Sequence, residues 1–224
     1  MGASFDQQHA SWTALLQRHV HAGKVDYAGL KQNEREMNSW LRQLVSVQRE
    51  EFDRFSREER LAFLIDAYNS YAIRMILDHY PVQSIRKIGL LPGMAFRNSF
   101  IPLFGEELSL NDIEDTLRKL GDPRIHFAIV CASKSCPELK NEAYRGAVIH
   151  RQLDDAARTF LRDRSKNRVE GTTLYVSSIF KWYRDDFVRA AGSLEAWLAA
   201  QGLRGSRLEF LDYDWSLNGT SANR

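Results

Sequence analysis

Apolar positions recur at helical spacing through the first eighty residues and in shorter, alternating runs after that. Trp12, Leu15, Leu16 and Val20 share one face of a helix over 11–20, with Ser11 as its cap. A glycine break in HAGKVDYAGL then leaves Val25, Tyr27 and Leu30 as a short extended piece. Met37, Trp40, Leu41, Leu44 and Val45 predict a second amphipathic helix over 33–48. Ser56 and Glu59 form a capping box that opens a third, and Pro81 stops it after Tyr80. Between them Leu61, Phe63, Leu64, Ile65, Tyr68, Ile73 and Ile76 point in nearly every direction around the axis. A helix that is apolar on all sides is a central one, buried by its neighbours. Asp66, Asn69 and Ile73 share a face of it, so two polar groups point inward, and buried polar groups must find partners.

Prolines and glycines punctuate residues 81–108, with a hairpin expected across FRNSFIPLFGEELSL. Ser109 and Asp112 open the helix LNDIEDTLRKL, which Gly121 ends and on which Glu114 and Arg118 stand one turn apart. Arg124 to Cys131 reads as a short apolar strand bounded by Pro123 and the polar loop ASKSCP. A helix follows over 147–163, then a hairpin in RVEGTTLYV turning near Gly171. Ser177 or Ser178 caps a helix through IFKWYRDDFVRAA, closed by Gly192; Leu194–Ala200 is a short helix and RLEFLDYDW a last strand. With no repeat and no linker, the pattern predicts a single α+β domain over 11–218. A central buried helix packs with other helices against a small antiparallel sheet. Residues 1–10 form an N-terminal extension and 219–224 a frayed tail.

Composition narrows the class without identifying it. The chain has 224 residues, and its 31 basic against 29 acidic side chains leave a net charge of +2. That balance gives no electrostatic reason to bind nucleic acid or a membrane surface. The greasiest stretch, Leu61 to Leu77, is interrupted by Asp66, Asn69 and Arg74 and is too polar to span a bilayer. The opening MGASFDQQHA has neither a basic cap nor an apolar run, so a cytoplasmic location is expected, or a periplasmic or secreted one if the sequence has been trimmed. The six histidines form no HExxH pattern and only one HxH pair, His19 and His21, and neither a metal nor another cofactor is expected. The two cysteines, Cys131 and Cys136, are poor zinc spacing. A disulfide between them is sterically allowed but would close a very small loop, and free thiols are the expectation. Oligomeric state is left open.

AFLIDAYNSY, LSLNDIEDTLR, DPRIHFAIVCASKSCPEL, SSIFKWYRDDF and YDWSLN occur in this order. Together they resemble the bacterial, plant and animal family known as domain of unknown function 547, over about residues 12–218. In that resemblance Asn69 matches the second Asn of an AFWINAYN-like helix, and Asp66 stands where the first Asn usually is. Glu114 and Arg118 match an IEH/N-x-x-LR helix, with Asp115 in the place of its His or Asn. Cys131 matches the Cys that ends the family's apolar strand. Cys136 and His126 fall at positions that are not general in plant members, which argues against their being essential to what the family shares.

A cysteine where a buried strand runs into a polar loop is placed as active-site nucleophiles often are, although free cysteines are commonly inert small hydrophobes. Its thiolate would need a nearby cation, for which Lys134, Arg118 and Lys181 are available. His126 is the provisional base. Five residues along one strand would put it on the opposite face from Cys131, unless the strand ends or bulges first. A third member could be Asn69, Asp66 or Asp186. Asn69, Asp66, Glu114 and Arg118 would bind or orient substrate, or pin one helix to another, and Cys136, Lys181 and Asp186 are secondary candidates. The aromatics of FKWYRDDF read as core and rim rather than a ligand cage, and Asp214 and Asn218 as caps of a terminal turn. The leading expectation is a thiol-dependent hydrolase or transferase acting on a peptide or another amide. The competing one is a non-catalytic module that binds a peptide or small ligand in the same cleft.

Overall fold

The computed structural model describes residues 5–220. Helix α1 (Ala10–His19) leads into a short hairpin, β1 (Val20–His21) and β2 (Lys24–Val25), and then α2 (Tyr27–Gln32), α3 (Glu34–Ser46) and α4 (Arg49–Phe52). The long helix α5 (Arg57–Asp78) is followed by α6 (Met94–Arg97), a hairpin of β3 (Ile101–Leu103) and β4 (Glu106–Leu108), and α7 (Leu110–Lys119). After α8 (Ile149–Arg162) come β5 (Arg168–Glu170), β6 (Thr173–Ser177), α9 (Ile179–Trp182), α10 (Arg184–Ala191), α11 (Leu194–Ala200) and β7 (Arg207–Leu211). The fold is α+β.

Helix α5 is the hub, and its ends are set locally. Ser56 Oγ accepts from the Glu59 amide at 3.1 Å while the Glu59 carboxylate accepts from the Ser56 amide at 2.8 Å. Its side chains from Leu61 to Ile73 are all buried, and it packs against α2, α3, α7 and α8. Each large apolar side chain enclosed there contributes about 1.5–3 kcal/mol relative to exposure. A second core gathers Phe160, Phe180, Phe187 and Trp197 around Phe127. Among the described residues no helix is long and apolar enough to cross a membrane.

Several local expectations are corrected. Helix α1 starts one residue early, after His9, whose left-handed backbone (φ 48°) ends the preceding turn; Ser11 is no cap and bonds Gln43 instead. The piece around Tyr27–Leu30 is helical because the Asp26 carboxylate caps it at the Gly29 amide. Residues 124–131 form no strand. The Asp122 side chain accepts from the Arg124 amide and winds Pro123–Phe127 into a 3-10 turn, and the chain after it pairs with a side chain rather than a sheet. A turn between two cores buries consecutive residues, as Ile125, His126 and Phe127 are, and that pattern mimics a buried strand.

The sheet is mixed rather than antiparallel: β5 and β6 pair antiparallel, β6 and β7 parallel. A parallel neighbour needs a long crossover, which α9, α10 and α11 supply between β6 and β7. The helix expected through IFKWYRDDFVRAA is broken at Tyr183 (φ −109°, ψ 25°) into α9 and α10. At the C-terminal end Gly219 and Thr220 lie beside Val25, with the Thr220 amide on the Val25 carbonyl at 3.1 Å. Of the expected extension and frayed tail, 1–4 and 221–224 lie outside the described residues.

Candidate functional site

Where the 3-10 turn and the loop after it meet α5, α7 and the C-terminal segment, the surface opens into a cleft of about 220 Å³. Cys131 and Cys136 lie on it and are joined as a disulfide. The expectation of free thiols is therefore corrected. Ala132 takes a left-handed conformation (φ 60°) and the Cys136 amide bonds the Ser133 carbonyl at 3.1 Å, so the loop doubles back and brings the two Cα atoms to 6.2 Å. The C-terminal segment holds that turn from outside: the Lys134 amide bonds the Ser216 carbonyl at 2.8 Å, and the Asn218 amide bonds the Ala132 carbonyl at 3.1 Å. Tyr213 reaches in from the same segment, and its hydroxyl donates to Cys136 Sγ at 3.1 Å while lying 3.3 Å from Cys131 Sγ.

His126 lines the same cleft. Its Nε2 lies 2.8 Å from Asp186 Oδ2, and Arg118 clasps that carboxylate from Nε at 2.7 Å and Nη2 at 3.2 Å. Burial by itself would raise the Asp186 carboxyl, but the hydrogen bonds and charges of His126 and Arg118 outweigh it and hold the group far below the ordinary carboxylate range. Asp186 is thus ionised and accepts only, which puts the imidazole proton on Nε2. Burial depresses His126 more than Asp186 raises it, so the ring is neutral. Its Nδ1, free to accept a proton, has no hydrogen-bond partner among the described residues. Tyr183 stacks on the imidazole with ring centres 3.9 Å apart and fixes its plane.

Glu114 faces the cleft from α7, beside the Tyr183 hydroxyl. Burial pushes its carboxyl up, and Tyr183 and Arg118 offset only part of the shift. The favourable Glu114–Arg118 spacing is not used as a helix-surface pair, since Arg118 turns to Asp186 instead. Trp182 and Trp215 stack with centres 5.7 Å apart, each also against Tyr213, and form an aromatic rim; Trp182 is 47% exposed.

Residues 52–161 match the family described as protein of unknown function, DUF547. This segment is similar to that family. No curated protein and no solved structure matches the chain. The DUF547 match is narrower than the 12–218 drawn from the motifs, and the cleft straddles its edge. Tyr68, Glu114, His126 and both cysteines come from the matched residues, whereas Trp182, Tyr183 and Tyr213 come from the chain beyond them.

The remaining sequence candidates divide by place. Asn69 does not line the cleft; its amide grips the chain behind it, at Ala128 and Val130. Asp66, also absent from the cleft, is fully buried against His9 Nδ1 at 2.6 Å and the Tyr144 amide at 3.0 Å. Lys181 is exposed and does not line the cleft. Asp214 does cap a turn, accepting from the Ser216 amide at 2.9 Å, while Asn218 instead accepts from the Tyr27 hydroxyl at 2.7 Å. Tyr213 went unnoticed in the sequence, where only its place in the YDW segment could have drawn attention. No group of three His, Cys, Asp or Glu side chains suited to a metal occurs among the described residues.

Proposed function

We propose that this cleft carries out thiol-dependent acyl transfer, hydrolytic or to a second acceptor, on a peptide or another amide. What supports this is one juxtaposition: a neutral, Asp186-oriented His126 with an unpartnered Nδ1 shares a small cleft with Cys131. In this reading His126 serves as base and Asp186 orients it, and the nucleophile becomes available once a thiol reductant has opened the disulfide. In the reduced protein His126 takes the Cys131 proton and the thiolate attacks the carbonyl carbon. The carbonyl–nitrogen bond then breaks as the imidazolium returns its proton to the departing amine. Water or an acceptor amine attacks the resulting thioester, frees the acyl group and restores the Cys131 thiol. Roughly 300–1,000 Å³ is usual for sites that enclose a whole small molecule, so a cleft of about 220 Å³ favours one or two groups of a longer chain.

The test is pH-dependent iodoacetamide labelling of the reduced protein, with turnover measured on a panel of peptide amides and thioesters. Cys131 is expected to label well below the pH at which an ordinary thiol of pKa about 8.5 does, and Cys131→Ser to abolish turnover. An ordinary labelling profile together with no turnover would sink the proposal. The aromatic rim, with Trp182 exposed and Trp215 half-buried, supports the second reading, a non-catalytic ligand cleft, which that outcome would favour.

A further inference from the structure

The two sulfurs of the cleft disulfide are not equivalent. Cys131 is partly exposed, whereas Cys136 is 4% exposed. Cys136 Sγ accepts two hydrogen bonds, from the Cys131 amide at 2.9 Å and from the Tyr213 hydroxyl at 3.1 Å. Behind Tyr213 the chain of donors continues, because Ser133 Oγ donates to the Tyr213 oxygen at 3.2 Å and polarises its O–H. Burial raises the Tyr213 hydroxyl well above its ordinary range, so it stays a donor at every pH at which the protein would work. Cys131 Sγ also lies 3.1 Å from Ser133 Oγ and 3.3 Å from the Tyr213 hydroxyl, but Cys131 is the more exposed residue and only Cys136 Sγ accepts from a backbone N–H as well.

We propose that this disulfide is redox-active and exchanges with a dithiol reductant in a fixed direction, with Cys131 attacked and Cys136 leaving. A thiolate of the reductant attacks Cys131 Sγ, the Cys131–Cys136 bond breaks, and its electron pair departs on Cys136 Sγ. The leaving thiolate is stabilised where it forms by the Cys131 N–H and the Tyr213 O–H, and a better-stabilised leaving sulfur departs faster. The reductant's second thiolate then attacks its own sulfur in the mixed disulfide and expels Cys131 as a thiolate beside His126. The reductant ends as a disulfide, two electrons have passed to the protein, and the two protons released by the dithiol end on Cys131 and Cys136. This activity does not rest on the acyl-transfer reading and would stand without it.

The experiment exposes the native, oxidised protein briefly to reduced glutathione, a monothiol with no second thiol of its own to resolve the mixed disulfide, then quenches with acid and maps adducts by mass spectrometry. The glutathione adduct is expected on Cys131, with Cys136 a free thiol. An adduct on Cys136, an even split, or no adduct under native conditions overturns the proposal. With dithiothreitol, Tyr213→Phe is expected to slow opening of the disulfide about tenfold, as loss of a hydrogen bond to a charged sulfur implies; an unchanged rate overturns the assigned role of Tyr213. Should that variant fail to fold, the adduct map on the wild type still decides. Cys136→Ser keeps the two readings apart, because its Cys131 is free without any exchange. Acyl transfer in that variant tests the proposed function alone.

Discussion

The Asn69 side chain spans the backbone on either side of Ile129, its Nδ2 donating to the Ala128 carbonyl at 3.0 Å and its Oδ1 accepting from the Val130 amide at 2.8 Å. The chain that runs into Cys131 therefore has a single side chain of the central helix where a strand would have a neighbour. Asn69→Ala leaves two buried backbone groups without those partners and is expected to cost about 2–4 kcal/mol, measured by urea unfolding. Asn69→Asp, which keeps only the acceptor, should be no better than Ala. A loss below about 0.5 kcal/mol in either variant would show that the grip is not needed.

Asp186→Asn and His126→Asn should damage the same thing. Both are expected to return the labelling profile of reduced Cys131 towards that of an ordinary thiol, slowing alkylation at neutral pH about tenfold. Because Asp186 acts through His126, the double variant should be no slower than either single one. Additive losses would show that the two residues act separately.

The pH dependence of stability carries two opposite contributions from the cleft. Glu114 is raised by burial, so its folded form holds a proton that the unfolded chain has lost. Its contribution is full below the unfolded value and is lost as pH rises through the folded one. His126 is lowered by burial, so its contribution is full above about 6.5 and is lost as pH falls through the window below that. Thermal melts between about pH 4 and pH 8 check both. Relative to wild type, Glu114→Gln should gain stability as pH rises and His126→Gln should gain as it falls. Melting curves that stay parallel to wild type would contradict the assigned directions.

Asp66 and His9 form a buried pair at 2.6 Å remote from the cleft. Asp66→Ala is expected to cost about 3–5 kcal/mol because it strands a buried partner, and adding His9→Ala should cost less than the sum of the two. Reduced Cys131 in the folded fraction should label as in wild type. A change in that labelling profile would tie the pair to the cleft after all.

Much of the helical framework was legible from residues close together in the chain. The capping boxes at Ser56 and Ser109, the stop at Pro81 and the hairpin through Phe104 and Gly105 (φ 59° and 78°) stand where the pattern places them. The inward-facing polar pair on α5 was legible too, though not its purpose: Asn69 and Asp66 are buried as expected, yet serve the scaffold rather than the cleft. His126 was assigned to the wrong element, because a 3-10 turn wedged between two cores and a buried strand have the same run of apolar residues. With no strand over 124–131, the opposite-face argument against His126 does not apply, and His126 and Cys131 both line the cleft.

The sequence by itself determined the longer helices, the capped starts of α5 and α7, and that α5 lies at the centre, since those features depend on caps, turns and periodicity within a few residues. Only the tertiary structure decided that Asp186 comes to His126 across sixty residues, that β7 joins β6 in parallel, and that Tyr213 closes over the cysteines. It also decided that Cys131 and Cys136 meet, since their short loop is folded back by the C-terminal segment that pairs with it. Such contacts depend on how distant segments dock. A local pattern restricts each segment's shape, but the enclosed area and the partnered polar groups that select one docking exist only once all the segments are together.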